Sequence, residues 1–154
     1  MAVAGMVSRP CNLAGGVLSD RLAVRYGLKV ARCGQASASL AVSSLLILGL
    51  AFAKDKTLVM ILSPLGFGVL DLMLPAAWSL CLDLGRAHAG VLTATMNTAG
   101  LGGGFVCTVL FGYLVRATGG YRAPPCLVAA MVMLSAILFA LIDPRRPVWK
   151  EGEL

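Results

Sequence analysis

The chain has 154 residues, 58% of them hydrophobic and 13% charged, with a mean hydropathy of +0.86. Ordinary globular chains carry roughly 25% charged residues, so this one cannot cover a water-soluble fold, and the bilayer is the solvent for most of it. The net charge of +6 does not mark a nucleic-acid surface, because the basic residues sit in short stretches between apolar runs rather than on one face with interleaved aromatics.

Residues 1 to 18 predict a shortened first membrane helix, interrupted by Arg9-Pro10. The start has neither a basic n-region nor a clear small-residue cleavage site, which argues against a signal peptide. Gly15 to Gly27 then reads as a short polar loop between two membrane helices. Its glycines let helix ends approach closely, Asp20 can accept hydrogen bonds from free N–H groups at the next helix start, and Arg21 and Arg25 can pair with carboxylates or lipid phosphates.

Beyond the loop, residues 33 to 53, 57 to 70, 72 to 82, 89 to 115 and 123 to 142 contain no Asp, Glu, Lys, Arg or His. Only Asp71 parts the second run from the third. A helix needs ~20 apolar residues to cross the hydrocarbon, so four complete helices are predicted at about 30–53, 57–81, 89–115 and 123–143. Asp71 is then a carboxylate in mid-span, where an ionised aspartate costs ~2.5 to 3.5 kcal/mol to insert. It should face the bundle interior on one helix face with Pro75 and Trp78, and it is the candidate proton-coupling residue. A structural aspartate bonded to a neighbouring helix is the alternative.

In the helix at 89–115, Gly100 and Gly104 lie one turn apart, as do Ala99 and Gly103, which predicts a helix-packing face, or a smooth surface that slides or rocks against a neighbour. Past Leu141, the run Asp143-Pro144-Arg145-Arg146-Pro147 ends the last helix. Residues 144–154 read as a polar cytoplasmic tail.

Arg21, Arg25, Lys29, Arg32, Arg86, Arg145, Arg146 and Lys150 fall on one side of the membrane, and Lys54, Lys56, Arg116 and Arg122 on the other. This bias puts the first loop and the C-terminus in the cytoplasm of a multi-pass protein of the cell (inner) membrane. Cys11, Cys33, Cys81, Cys107 and Cys126 have no metal or redox spacing and read as small hydrophobes. His88, the only histidine, reads as a solvated loop residue. With no His-rich cluster, no paired carboxylates at helical spacing and no nucleophile elbow, no catalytic residue, metal site or cofactor is expected.

The run Gly16-Val17-Leu18-Ser19-Asp20-Arg21, with Arg25 four residues on, resembles the loop signature of the major facilitator superfamily of transporters. The run Leu74-Pro75-Ala76-Ala77-Trp78-Ser79-Leu80-Cys81-Leu82-Asp83, then Ala89-Gly90-Val91, Met96-Asn97-Thr98-Ala99-Gly100 and Gly103-Gly104, is similar to the C-terminal half of its anion:cation symporters. The most specific part is the set Trp78, Asp83, Gly90, Asn97 and Gly100. The resemblance implies an all-α membrane protein whose five or so transmembrane helices match the eighth to the twelfth of a major facilitator, part of its C-terminal six-helix half.

It further implies a conformational latch at Gly16, Asp20, Arg21 and Arg25, and substrate-binding roles for Trp78 and Asn97. The partners implied are the lipid bilayer, the missing N-terminal helices of the same transporter, a small organic anion such as a sugar acid, and a proton or sodium ion. One departure is Leu101, where the family often has a polar amide. The competing reading is a truncated, non-transporting membrane scaffold or a non-functional remnant. The topology has a direct check: in a cysteine-free chain, a cysteine placed at position 55 or 120 is expected to react with a membrane-impermeant label from outside only.

Overall fold

The computed structural model of the chain describes residues 2–53, 55–120 and 122–143. The expected tail at 144–154 and Lys54 lie outside the described residues. In order, the elements are α1 (Ala2–Tyr26), a π-helical segment (Lys29–Gly34), α2 (Gln35–Phe52), α3 (Lys56–Asp71), α4 (Met73–Gly85), a 3-10 turn (Arg86–His88), α5 (Ala89–Thr118) and α6 (Ala123–Leu141). The chain is an all-α membrane protein. Four stretches, Lys29–Phe52, Lys56–Gly85, Ala89–Thr118 and Ala123–Leu141, are long and apolar enough to cross a bilayer.

α1 does not end at residue 18. It runs through the polar stretch to Tyr26, so the expected loop is the last part of a helix. The reason lies in the spacing: Gly15 and Ser19 are buried and Leu22 and Ala23 half-buried, while Asp20, Arg21, Val24 and Arg25 are exposed. That is one inward stripe at helical period, and charges on the opposite face do not interrupt a helix. Gly27 does. It takes a left-handed φ of +85°, and its N–H bonds the Ala23 carbonyl at 3.2 Å, closing the helix. Asp20 caps no helix, since the segment from Lys29 has no side-chain cap.

α2 and its π-helical start are central, touching α1, α3, α4 and α6. The buried side of α2 is made largely of small residues, including Ala36, Ser39, Ser43, Ser44 and Ala51. Ser37 Oγ donates to the Ala136 carbonyl at 2.8 Å and Ser44 Oγ to the Ala129 carbonyl at 2.7 Å, an antiparallel seam with a seven-residue repeat. Ser43 Oγ donates to the Gly66 carbonyl of α3 at 2.8 Å. Lipid tails are as apolar as leucine, so small residues and such bonds, worth ~0.6 kcal/mol each, carry helix association here.

The span predicted as one helix at 57–81 is two helices that part at Leu72. Pro75 has no N–H to offer the Asp71 carbonyl, and its ring crowds that oxygen. The Leu72 N–H instead bonds Val69 at 3.3 Å, a tighter turn. α1 comes in close at this break: a Cβ built on Gly15 would stand 2.7 Å from the Leu72 carbonyl oxygen.

α5 has no buried residue and leans on α4 and α6 by its edge. The helix packing expected at Gly100 and Gly104 is not made within the described residues, because a Cβ at either would meet nothing within 4 Å. α5 docks elsewhere, where the Cys81 thiol lies 3.3 Å from the Met96 sulfur and Gly85 faces Ala89 and Leu92. Thr95, Thr108 and Thr118 return their hydroxyls to carbonyls one turn back, which satisfies them without a partner helix. His88 is half-buried in the 3-10 turn rather than a solvated loop residue.

The two kinds of glycine should respond oppositely to a methyl group. Gly15→Ala is expected to lose about 1 to 3 kcal/mol through overpacking. Gly100→Ala is expected to be neutral or to gain up to about 1 kcal/mol from helix propensity. Chemical denaturation in mixed micelles checks both.

Candidate functional site

Two polar constellations interrupt this apolar bundle, both reached by side chains from the start of the membrane-spanning stretch Lys29–Phe52. The first gathers on Arg32, in the π-helical segment. Its Nη1 donates to Ser19 Oγ at 2.7 Å and to Asp20 Oδ1 at 3.3 Å, and its Nε donates to Asp83 Oδ2 at 3.2 Å. Ser19 Oγ in turn faces the Ala31 carbonyl as a donor at 3.4 Å. Arg32 thus ties the end of α1 to the end of α4. The planar guanidinium fork suits this, since its donors leave one group in fixed and different directions.

The two ion pairs differ in weight. The Arg32 side chain is 12% exposed, Asp83 29% and Asp20 76%. Solvent and salt screen the outer pair strongly and the inner one less. The Arg32–Asp83 pair is therefore the stronger tie.

Of the four residues expected as a latch, Asp20 enters this cluster, and its partner is Arg32 rather than Arg25. Gly16 lies on the inward side, where a Cβ would stand 3.8 Å from Pro75 Cβ. Arg21 and Arg25 are exposed and make no ion pair among the described residues. Sequence reasoning counted Arg32 only as a loop charge and gave Ser19 no role. Asp83 was noted through the family resemblance alone. Partners 12 and 51 residues apart leave no local periodicity to find them by.

The second constellation surrounds the break at Leu72. Gln35 donates its Nε2 to the Gly15 carbonyl at 2.8 Å and to the Leu72 carbonyl at 3.2 Å, holding three elements at one point. Its Oε1 is buried and has no hydrogen-bond partner. Asp71, the residue before Leu72, is half-buried, and its carboxylate makes no hydrogen bond or ion pair among the described residues. Sequence reasoning missed Gln35, whose only signal was a lone glutamine inside an uncharged run.

Trp78 is 42% exposed and Asn97 is exposed. The Cys81–Met96 contact aligns α4 with α5, and a rise of 1.5 Å per residue then puts Trp78 and Asn97 within roughly 3 Å of each other in depth. On α5 itself, Val91, Ala94, Thr95, Thr98 and Ala99 line an open groove of about 570 Å³. Asp71 does not share a continuous face with Trp78. The break lies between them, and within α4 only Pro75 and Trp78 stand one turn apart. Among the described residues no group of three or more His, Cys, Asp or Glu is placed to hold a metal ion.

No family model matches the chain, and no solved structure matches it. It is similar to a curated protein of Cupriavidus necator named as a probable sulfoacetate transporter, with 37% identity over 131 residues. The match covers 84% of this chain and 30% of the relative. The chain thus spans less than a third of the length of that relative.

The unequal ion pairs give a measurable contrast. Asp83→Asn leaves a largely buried guanidinium with a weaker partner and is expected to cost roughly 1 to 3 kcal/mol. Asp20→Asn, at the exposed end, should cost under about 0.5 kcal/mol. Denaturation midpoints of the two variants decide it.

Proposed function

We propose that the chain is part of the C-terminal half of a major facilitator transporter that moves a small organic anion by proton- or sodium-coupled symport across the inner membrane. The observation that carries this reading is the 37% identity, over most of the chain, to a protein named as a probable sulfoacetate transporter. Sulfoacetate bears a sulfonate and a carboxylate, and belongs with sugar acids among small organic anions. A non-enzymatic role follows from the same likeness.

In this reading Trp78 and Asn97 meet the substrate at the α4–α5 edge, where an aromatic face and an amide stand at similar depth. Asp71 carries the coupling proton. The latch gains two members, Arg32 and Asp83, beside Asp20. Alternating access in such folds rocks one repeat against another around a central site. A cluster tying the end of α1 to the end of α4 would be made in one state and released in the other, biasing their populations by its own energy and no more. The remaining helices of the transporter would cover the open face of α5, and the latch would lie at the cytoplasmic side.

A chimera tests this. When residues of this chain replace the matching segment of the Cupriavidus necator protein, uptake of sulfoacetate or a sugar acid driven by a proton or sodium gradient is expected in liposomes. Asp71→Asn in that chimera should abolish gradient-driven accumulation and leave exchange intact, and Asn97→Ala should weaken substrate affinity. A well-folded chimera with no uptake of any organic anion would favour the non-transporting scaffold.

A further inference from the structure

We infer that Gln35 is the hydrogen-bond partner of protonated Asp71, so that arrival of a proton closes a contact between α2 and the broken span. This deepens the coupling role proposed for Asp71 and rests on it.

The orientation of the Gln35 amide is set by its surroundings. Both Nε2 protons are used, on Gly15 at 2.8 Å and on Leu72 at 3.2 Å. A flipped amide would aim its oxygen at two carbonyl oxygens, so the orphaned atom is the acceptor, Oε1, and it is buried. A buried acceptor without a donor forfeits the bond it had in water. Asp71 directly precedes Leu72, whose carbonyl, part of the next peptide bond, Gln35 already holds. As a carboxylate, Asp71 can only accept, which is of no use to Oε1. As a neutral acid it becomes a donor. An acceptor lacking a donor and a carboxyl lacking any partner therefore flank the same main-chain break, and only protonation makes them complementary.

Among the described side chains, no other charge competes at this level. On α1, Asp20 and Arg21 lie five and six residues beyond Gly15, and Cys11 is half-buried. On the span Lys29–Phe52, Lys29 is exposed six residues before Gln35, Arg32 is held by Ser19, Asp20 and Asp83, and Cys33 is buried. On α4, Cys81 and Asp83 come ten and twelve residues after Asp71.

Gln35 is the only glutamine in the 154 residues, so glutamine labelled with carbon-13 at Cδ reports a single carbonyl in the unaltered chain. The experiment is isotope-edited infrared spectroscopy of the full chain, made by cell-free synthesis, in lipid bilayers across a pH titration. The Asp71 carboxylic acid band is identified as the one that Asp71→Asn removes. The expected result is that the labelled carbonyl moves to lower frequency in step with the rise of that band, and that this pH dependence is lost in Asp71→Asn. An Asp71 band that rises while the labelled carbonyl stays still overturns the pairing and leaves the coupling role standing. No Asp71 band at any pH overturns both. A pH-dependent carbonyl shift that persists in Asp71→Asn assigns Oε1 another donor and also overturns the pairing.

Discussion

In a bilayer, helices gain nothing by hiding apolar surface from lipid, and a polar group inside has no water to fall back on. Among the described residues, the serine, threonine and glutamine side chains that hydrogen-bond therefore either close on their own helix or join two elements. Thr95, Thr108, Thr118 and Ser135 do the first, returning to carbonyls one turn back on α5 and on the outer side of α6. Ser37, Ser43, Ser44 and Gln35, all on α2, do the second, as does Ser19 toward the π-helical segment that leads into it. That division makes α2 the post around which the bundle stands, and leaves α5 without one buried residue.

The two polar constellations act on one helix. α4 begins just after Leu72, which Gln35 holds, and nears its end at Asp83, which Arg32 holds. Its 13 residues make a rod of roughly 20 Å. Gln35 and Arg32 are three residues apart, yet they grip it at opposite ends, one side chain reaching each way. The rod is packed on Ala76, Ala77 and Leu80 between the two grips. Both grips thus bear on the element that carries Trp78.

Much of this was legible in the sequence. Uncharged runs marked α5 and α6 to within a few residues, because length and lack of charge are what the membrane selects. The end of α1 was misread because charge was taken as a sign of a loop, although the stripe of Gly15, Ser19, Leu22 and Ala23 kept helical period through it. The break at Leu72 was available in principle, since a proline at position 75 removes the donor for carbonyl 71 whatever surrounds it. Asp20 could be singled out from its motif. Its partner Arg32 could not, because nothing local ties the start of one helix to the ends of two others.

The π-helical segment at Lys29–Gly34 packs one more residue into its turn than an α-helix does. One residue is about 100° of rotation, so side chains before and after this turn are out of phase along a single span. Arg32 belongs to one phase and the serine seam to the other. Any search for a single amphipathic stripe from Lys29 to Phe52 averages two directions and sees a helix that looks uniformly apolar, and removal of one residue from the turn would realign the stripe while swinging the guanidinium a quarter of the way round the helix.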